Sequence, residues 1–90
     1  MAMAAASTNP TKPFNQAITA YTKAKAGQMN VDDANSIFRK ALSTKPTQKE
    51  QAVIYYMSAV IEHKNNMGVD ANQSYKKAKS LDPHIPALPQ

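Results

Sequence analysis

The sequence predicts an all-α fold of four antiparallel helices, arranged as two stacked helix-turn-helix repeats. Two observations carry this. The stretch DANSIFRKALSTKP at 33–46 returns as DANQSYKKAKSLDP at 70–83. Asp33/Asp70, Ala34/Ala71, Asn35/Asn72, Lys40/Lys77, Ala41/Ala78, Ser43/Ser80 and Pro46/Pro83 are identical, and Phe38/Tyr75 and Arg39/Lys76 exchange within a chemical type. At ordinary residue frequencies about one chance match would be expected over such a length, so the chain contains an internal repeat. The second observation is an apolar spacing of three and four residues that is interrupted by proline, glycine and asparagine, as in short amphipathic helices joined by turns.

Taken in order, the first helix follows Lys12-Pro13, with proline in the favoured first turn, and carries Phe14, Ala17, Ile18, Tyr21 and Ala24 on one face up to Gly27. The second is capped by Asn30, has Asp32 and Asp33 at its positive end, and shows the stripe Ala34, Ile37, Phe38, Ala41, Leu42 before Pro46 stops it. The third opens with Thr47-Gln-Lys-Glu50, a capping box, and is then apolar nearly all round through Ala52, Val53, Ile54, Tyr55, Tyr56, Met57, Ala59, Val60 and Ile61. Such a helix must be covered on several sides, which makes it the central element. Asn65, Asn66 and Gly68 form the turn after it. The fourth repeats the second but has Ser74 and Lys79 in place of Ile37 and Leu42, as expected of a terminal unit with nothing stacked beyond it. Residues 1–12 are expected to be a disordered arm or cloning remnant, 13–83 the repeat domain, and 84–90 an extended tail governed by Pro86 and Pro89.

Composition bounds the rest. Ninety residues make one domain with a thin core. The absence of cysteine excludes disulfides, thiolate zinc sites and thiol nucleophiles. No apolar run approaches the roughly twenty residues of a membrane span, so a soluble chain is expected. MAMAAAST lacks the basic and leucine-rich regions of a secretion signal. The compartment stays open, with the cytosol slightly favoured and a mature exported protein also compatible. The net charge of +5 raises nucleic acid as a partner, yet the cations are spread along the chain and several lie near helix ends, which reads as a solvated surface.

Helix pairs with an Ala-x3-aromatic-x2-Ala signature and a proline five residues beyond resemble tetratricopeptide repeats. The signature positions are Ala34, Phe38, Ala41 and Pro46 in one unit and Ala71, Tyr75, Ala78 and Pro83 in the other, with Tyr55 and Ala59 at the large and small positions of the third helix. The first helix has Ile18 and Thr22 at those two positions, and the repeat period exceeds the family's usual spacing by three residues. The resemblance implies that small alanines let paired helices approach closely while the aromatic fills the space between pairs. It also implies an inner groove for a peptide or a partner's helix, lined by Gln16, Thr19 and Lys23 and by Val53, Tyr56, Val60 and Lys64. A carboxylate clamp for a chaperone tail is not expected, because Thr19, Lys23 and Met57 occupy its positions.

Nothing in the sequence forms a catalytic constellation. His63 and His84 lack ligand-spaced partners, Glu62 points about 100 degrees away from His63 on a helix, and Gly27 and Gly68 cannot build a phosphate loop. The expected function is therefore that of a non-enzymatic interaction module or scaffold, without cofactor or metal, whose protein or peptide partner the sequence does not identify. Val53, Tyr56 and Val60 would form an apolar patch with Tyr56 as anchor, or would pack under the first helix or a folded-back tail. Two repeats leave apolar surface to be covered by the arm, the tail or a second copy in a homodimer. The competing class is a small basic protein binding nucleic acid through Arg39, Lys40, Lys76, Lys77 and Lys79, which requires those cations to converge on one face.

Overall fold

The computed structural model describes residues 12–88, which hold four helices and no strand. These are α1 (Lys12–Lys25), α2 (Val31–Ser43), α3 (Gln48–Lys64) and α4 (Gly68–Leu81). All but Lys12 of the expected arm at 1–12, and Pro89 and Gln90 of the tail, lie outside the described residues.

Local chemistry sets the boundaries. Asn30 caps α2 by accepting from the Asp33 amide at 2.8 Å, and Asp32 and Asp33 occupy the first turn. Thr47 and Glu50 form a reciprocal capping box at the start of α3, with bonds of 3.1 and 3.0 Å. Gly27 follows α1 with φ +80, a left-handed conformation that glycine adopts without penalty. Two other turns use the same region without glycine: Lys45 at φ 58 and Asn66 at φ 62. Asparagine tolerates this conformation readily, whereas lysine gives up about 1 kcal/mol. The turn after α3 is thus made by Asn65 and Asn66, and Gly68, expected in the turn, is the first residue of α4.

Side-chain contacts fix the helix directions. Asn35 in the second turn of α2 reaches Glu62 near the end of α3, and Gln48 at the start of α3 donates to the Leu81 carbonyl at the end of α4. Both pairs are antiparallel. Lys64 donates to the Lys25 carbonyl at 2.8 Å, so α1 and α3 end together. Helix α3 packs on all three others, and α4 approaches only α3 backbone to backbone. The sequence expectation of a central third helix agrees with this packing.

The main core joins Phe14, Ala17, Ala20 and Ala24 of α1, Val31, Ala34, Phe38 and Ala41 of α2, and Ile54, Met57 and Ile61 of α3. Alanine faces permit the close approach of α1 and α2. Ile18, expected on the buried face of α1, is instead 40 % exposed, and the smaller Ala20 is buried there. A second cluster lies between α3, α4 and the tail: Ala52, Ala78 and Ile85, flanked by Tyr55, Tyr56, Tyr75 and Leu81. Of the expected packing positions, Pro46, Ala59 and Ala71 are also buried, Tyr55 and Tyr75 half-buried, and Pro83 exposed.

The tail is not a free extension. After α4, Asp82 takes extended angles, its carboxylate accepts from the His84 amide at 3.0 Å, and the Ile85 amide donates to the Asp82 carbonyl at 3.1 Å. This tight turn folds the chain back, leaving Ile85 only 8 % exposed. Ser74 and Lys79, read from sequence as the polar outer side of a terminal unit, are both engaged: Ser74 by Glu62 and Lys79 by the tail.

Candidate functional site

Two tyrosines from two helices meet where the tail crosses the bundle, with a third in the vicinity. Tyr56 of α3 and Tyr75 of α4 lie with ring centroids 6.4 Å apart and planes tilted by 54°, a favourable aromatic arrangement. Tyr21 of α1 is close enough to act on the ionisation of Tyr56, and the Lys25 ammonium sits 5.1 Å over the Tyr21 ring. The tail lies against this group. Tyr75 donates from its hydroxyl to the Pro86 carbonyl at 3.0 Å, and Tyr56 to the Ala87 carbonyl at 3.2 Å. Lys79 donates from Nζ to the carbonyls of Pro83 at 3.0 Å and Ile85 at 3.4 Å.

The pattern of these bonds has a physical logic. Two of the four accepting residues are prolines, which have a carbonyl but no N–H. An ammonium only donates, and both tyrosine hydroxyls are used here as donors. The cradle thus offers donors to a strand that is rich in acceptors and poor in donors, while Ile85 fills the apolar space between Ala52 and Ala78.

Partial burial, then the neighbouring Tyr21 and Tyr75, hold the Tyr56 hydroxyl above the usual tyrosine range, against the opposing effect of Lys25. The folded state therefore keeps this proton more tightly than the unfolded chain. The resulting stabilisation is complete below the free tyrosine pKa and fades as pH rises through the higher folded value. In a tyrosinate absorbance titration, the step lost on Tyr56→Phe is expected at higher pH in the folded protein than in urea. A step at the same or lower pH would mean that Tyr56 is neither desolvated nor flanked as described.

The residues expected to line one groove are placed in two groups. Gln16, Thr19 and Lys23 are exposed and line an open cleft of about 460 Å³ between α1 and α2, with Met29, Ile37 and Lys40. On a helix of 3.6 residues per turn they lie opposite Ile18, Tyr21 and Lys25. Of the α3 group, Val53 packs on the main core, Tyr56 faces the tail, Val60 is 4 % exposed, and Lys64 is tied to α1. The structure thus brings Tyr56 together with Tyr21 and Tyr75, and the three α1 residues face elsewhere.

A buried polar centre went unread in the sequence. Glu62 is 6 % exposed. Its two oxygens accept from Asn35 Nδ2 at 3.1 Å and Ser74 Oγ at 2.8 Å, and Ser58 Oγ donates to Asn35 Oδ1 at 2.7 Å. The network ties α2, α3 and α4 at the wall of a cavity of about 180 Å³. Its signal was present: Ile54, Ser58 and Glu62 follow at i, i+4 and i+8 on one stripe, so a carboxylate falls on a buried face.

Comparison with protein families, with curated proteins and with solved structures finds no match to this chain. Among the described residues, no group of three or more His, Asp or Glu could hold a metal, and no helix is long and apolar enough to cross a membrane. Of the cations named for nucleic-acid binding, Arg39 and Lys77 both lie beside Tyr55. Arg39 and Lys40 line different cavities, Lys77 lies over the Tyr55 ring at 5.2 Å, and Lys79 holds the tail.

Proposed function

We propose that the chain is a non-enzymatic protein-interaction module that holds a peptide segment against the α3–α4 face, with Tyr56 as the central contact. One observation carries the reading: this face already holds a peptide, the chain's own tail, through one buried aliphatic side chain and four hydrogen bonds to its carbonyls. Tyrosine suits the task because it presents a large, fairly rigid apolar body and a polar tip. The resemblance of the helix pairs to tetratricopeptide repeats points to peptide binding in general, and of the inner-face residues it implies Tyr56 is the one that contacts the tail.

The test is a selection of displayed peptides on the full chain carrying Ile85→Ser, which weakens the hold of the tail. Selected peptides are expected to lose about thirtyfold in affinity, the effect of a central contact residue, when Tyr56→Ser is added. A selection that enriches no peptide, or peptides indifferent to Tyr56, would end this reading.

A further inference from the structure

Resting on that reading, we propose that the tail is a built-in, exchangeable occupant, and that the partner of the Tyr56–Tyr75 cradle is an extended segment with an aliphatic residue flanked by prolines. The tail itself shows the chemistry. In Asp82-Pro83-His84-Ile85-Pro86-Ala87, the residue that enters the apolar slot is Ile85, and Pro86 directly follows it. Proline restricts the residue before it to extended angles, so Ile85 is presented without helix competing for it. An amphipathic helix is a poor fit, because its carbonyls are consumed internally and the cradle's donors would be left without acceptors.

The tail is also built to let go. Its four side-chain bonds lie at the exposed or half-buried rim, and one aliphatic side chain anchors it. A tethered segment of this length acts at an effective concentration on the order of millimolar. A partner of the same pattern therefore competes when it is abundant or carries a better anchor, and the module is closed in its absence.

The experiment uses the full chain, unsubstituted and as Ile85→Ser, titrated with a synthetic peptide of residues 82–90 and followed by NMR of the tyrosine rings. The peptide is expected to bind Ile85→Ser with shifts at Tyr56 and Tyr75, and to bind the unsubstituted chain at least about tenfold more weakly because the tethered tail is in place. A peptide with Pro83 and Pro86 replaced by alanine is expected to bind about tenfold more weakly than the natural one, since each proline removes freedom from the unbound strand. Equal binding to both chains, equal binding of both peptides, or no binding of the tail peptide while selected library peptides bind, would overturn the proposal and leave the interaction reading intact. If no peptide of any kind binds, both fall. Lys79→Met, which removes the donor of two of the four carbonyl contacts without touching the core, repeats the test should Ile85→Ser lose helix content.

Discussion

Replacing Phe38 with alanine is expected to lower the unfolding free energy by about 4 kcal/mol. Phe38 is buried in the main core, where it shares a cluster with five alanines, Ala17, Ala20, Ala24, Ala34 and Ala41, and with the larger Phe14, Val31, Ile54, Met57 and Ile61. The alanines cannot swing into a vacated space and the larger neighbours fill it only in part, so much of the ring's volume would remain as a cavity. A domain of this size holds roughly 5–10 kcal/mol in total, so the variant is expected to be largely unfolded at modest urea. The repeat-equivalent Tyr75 is half-buried at the rim of the second cluster, and Tyr75→Ala is expected to lose about half as much. Urea unfolding followed by circular dichroism measures both. A loss at Phe38 below about 1 kcal/mol would mean that the core is not centred on the α1–α2–α3 contact.

Glu62→Ala is expected to lower stability by about 3 kcal/mol, whereas Glu62→Gln stays within about 1 kcal/mol. The carboxylate accepts from Asn35 and Ser74 inside the bundle. Truncation to alanine leaves both donors without their partner and opens a void between three helices. Glutamine keeps one carbonyl for Asn35, and its amide can donate to the Ser74 hydroxyl, which accepts as readily as it donates. The contrast between the two variants identifies hydrogen bonding, not charge, as what the residue supplies. Equal losses for Ala and Gln would show that the negative charge itself is required.

Most of the architecture was legible because its signals are local. The Asn30 cap, the Thr47–Glu50 box, the left-handed Gly27 and the apolar girth of α3 each depend on residues within a few positions of one another. What was not legible depends on contacts between distant segments. Ile18 and Ala20 are both apolar, and only the approach of α2 and α3 decides which is covered. Ser74 and Lys79 read as solvent-facing because the sequence does not show that Glu62 and a returning tail lie against them. The candidate site divides in the same way. Tyr56 could be singled out from its own helix, but its grouping with Tyr21, Tyr75 and the carbonyls of Pro86 and Ala87 required the fold. The α1 positions inferred by resemblance lie on a different cleft, because that inference transfers a register and the first helix lacks the residues that would set it.

Because every other helix packs on α3, the cooperativity of the fold runs through that one element. Contacts made by α1, α2 and α3 form a closed triangle in which each helix is held by two others, whereas α4 packs on α3 through the most extensive helix–helix contact of the fold and is linked to α2 through Glu62. Two packing units share α3, the Phe38 core on one side and the tyrosine cluster on the other. Helix α4 should therefore unfold with α3, so that the slowly exchanging amides include both and the local openings lie at the ends of the described chain.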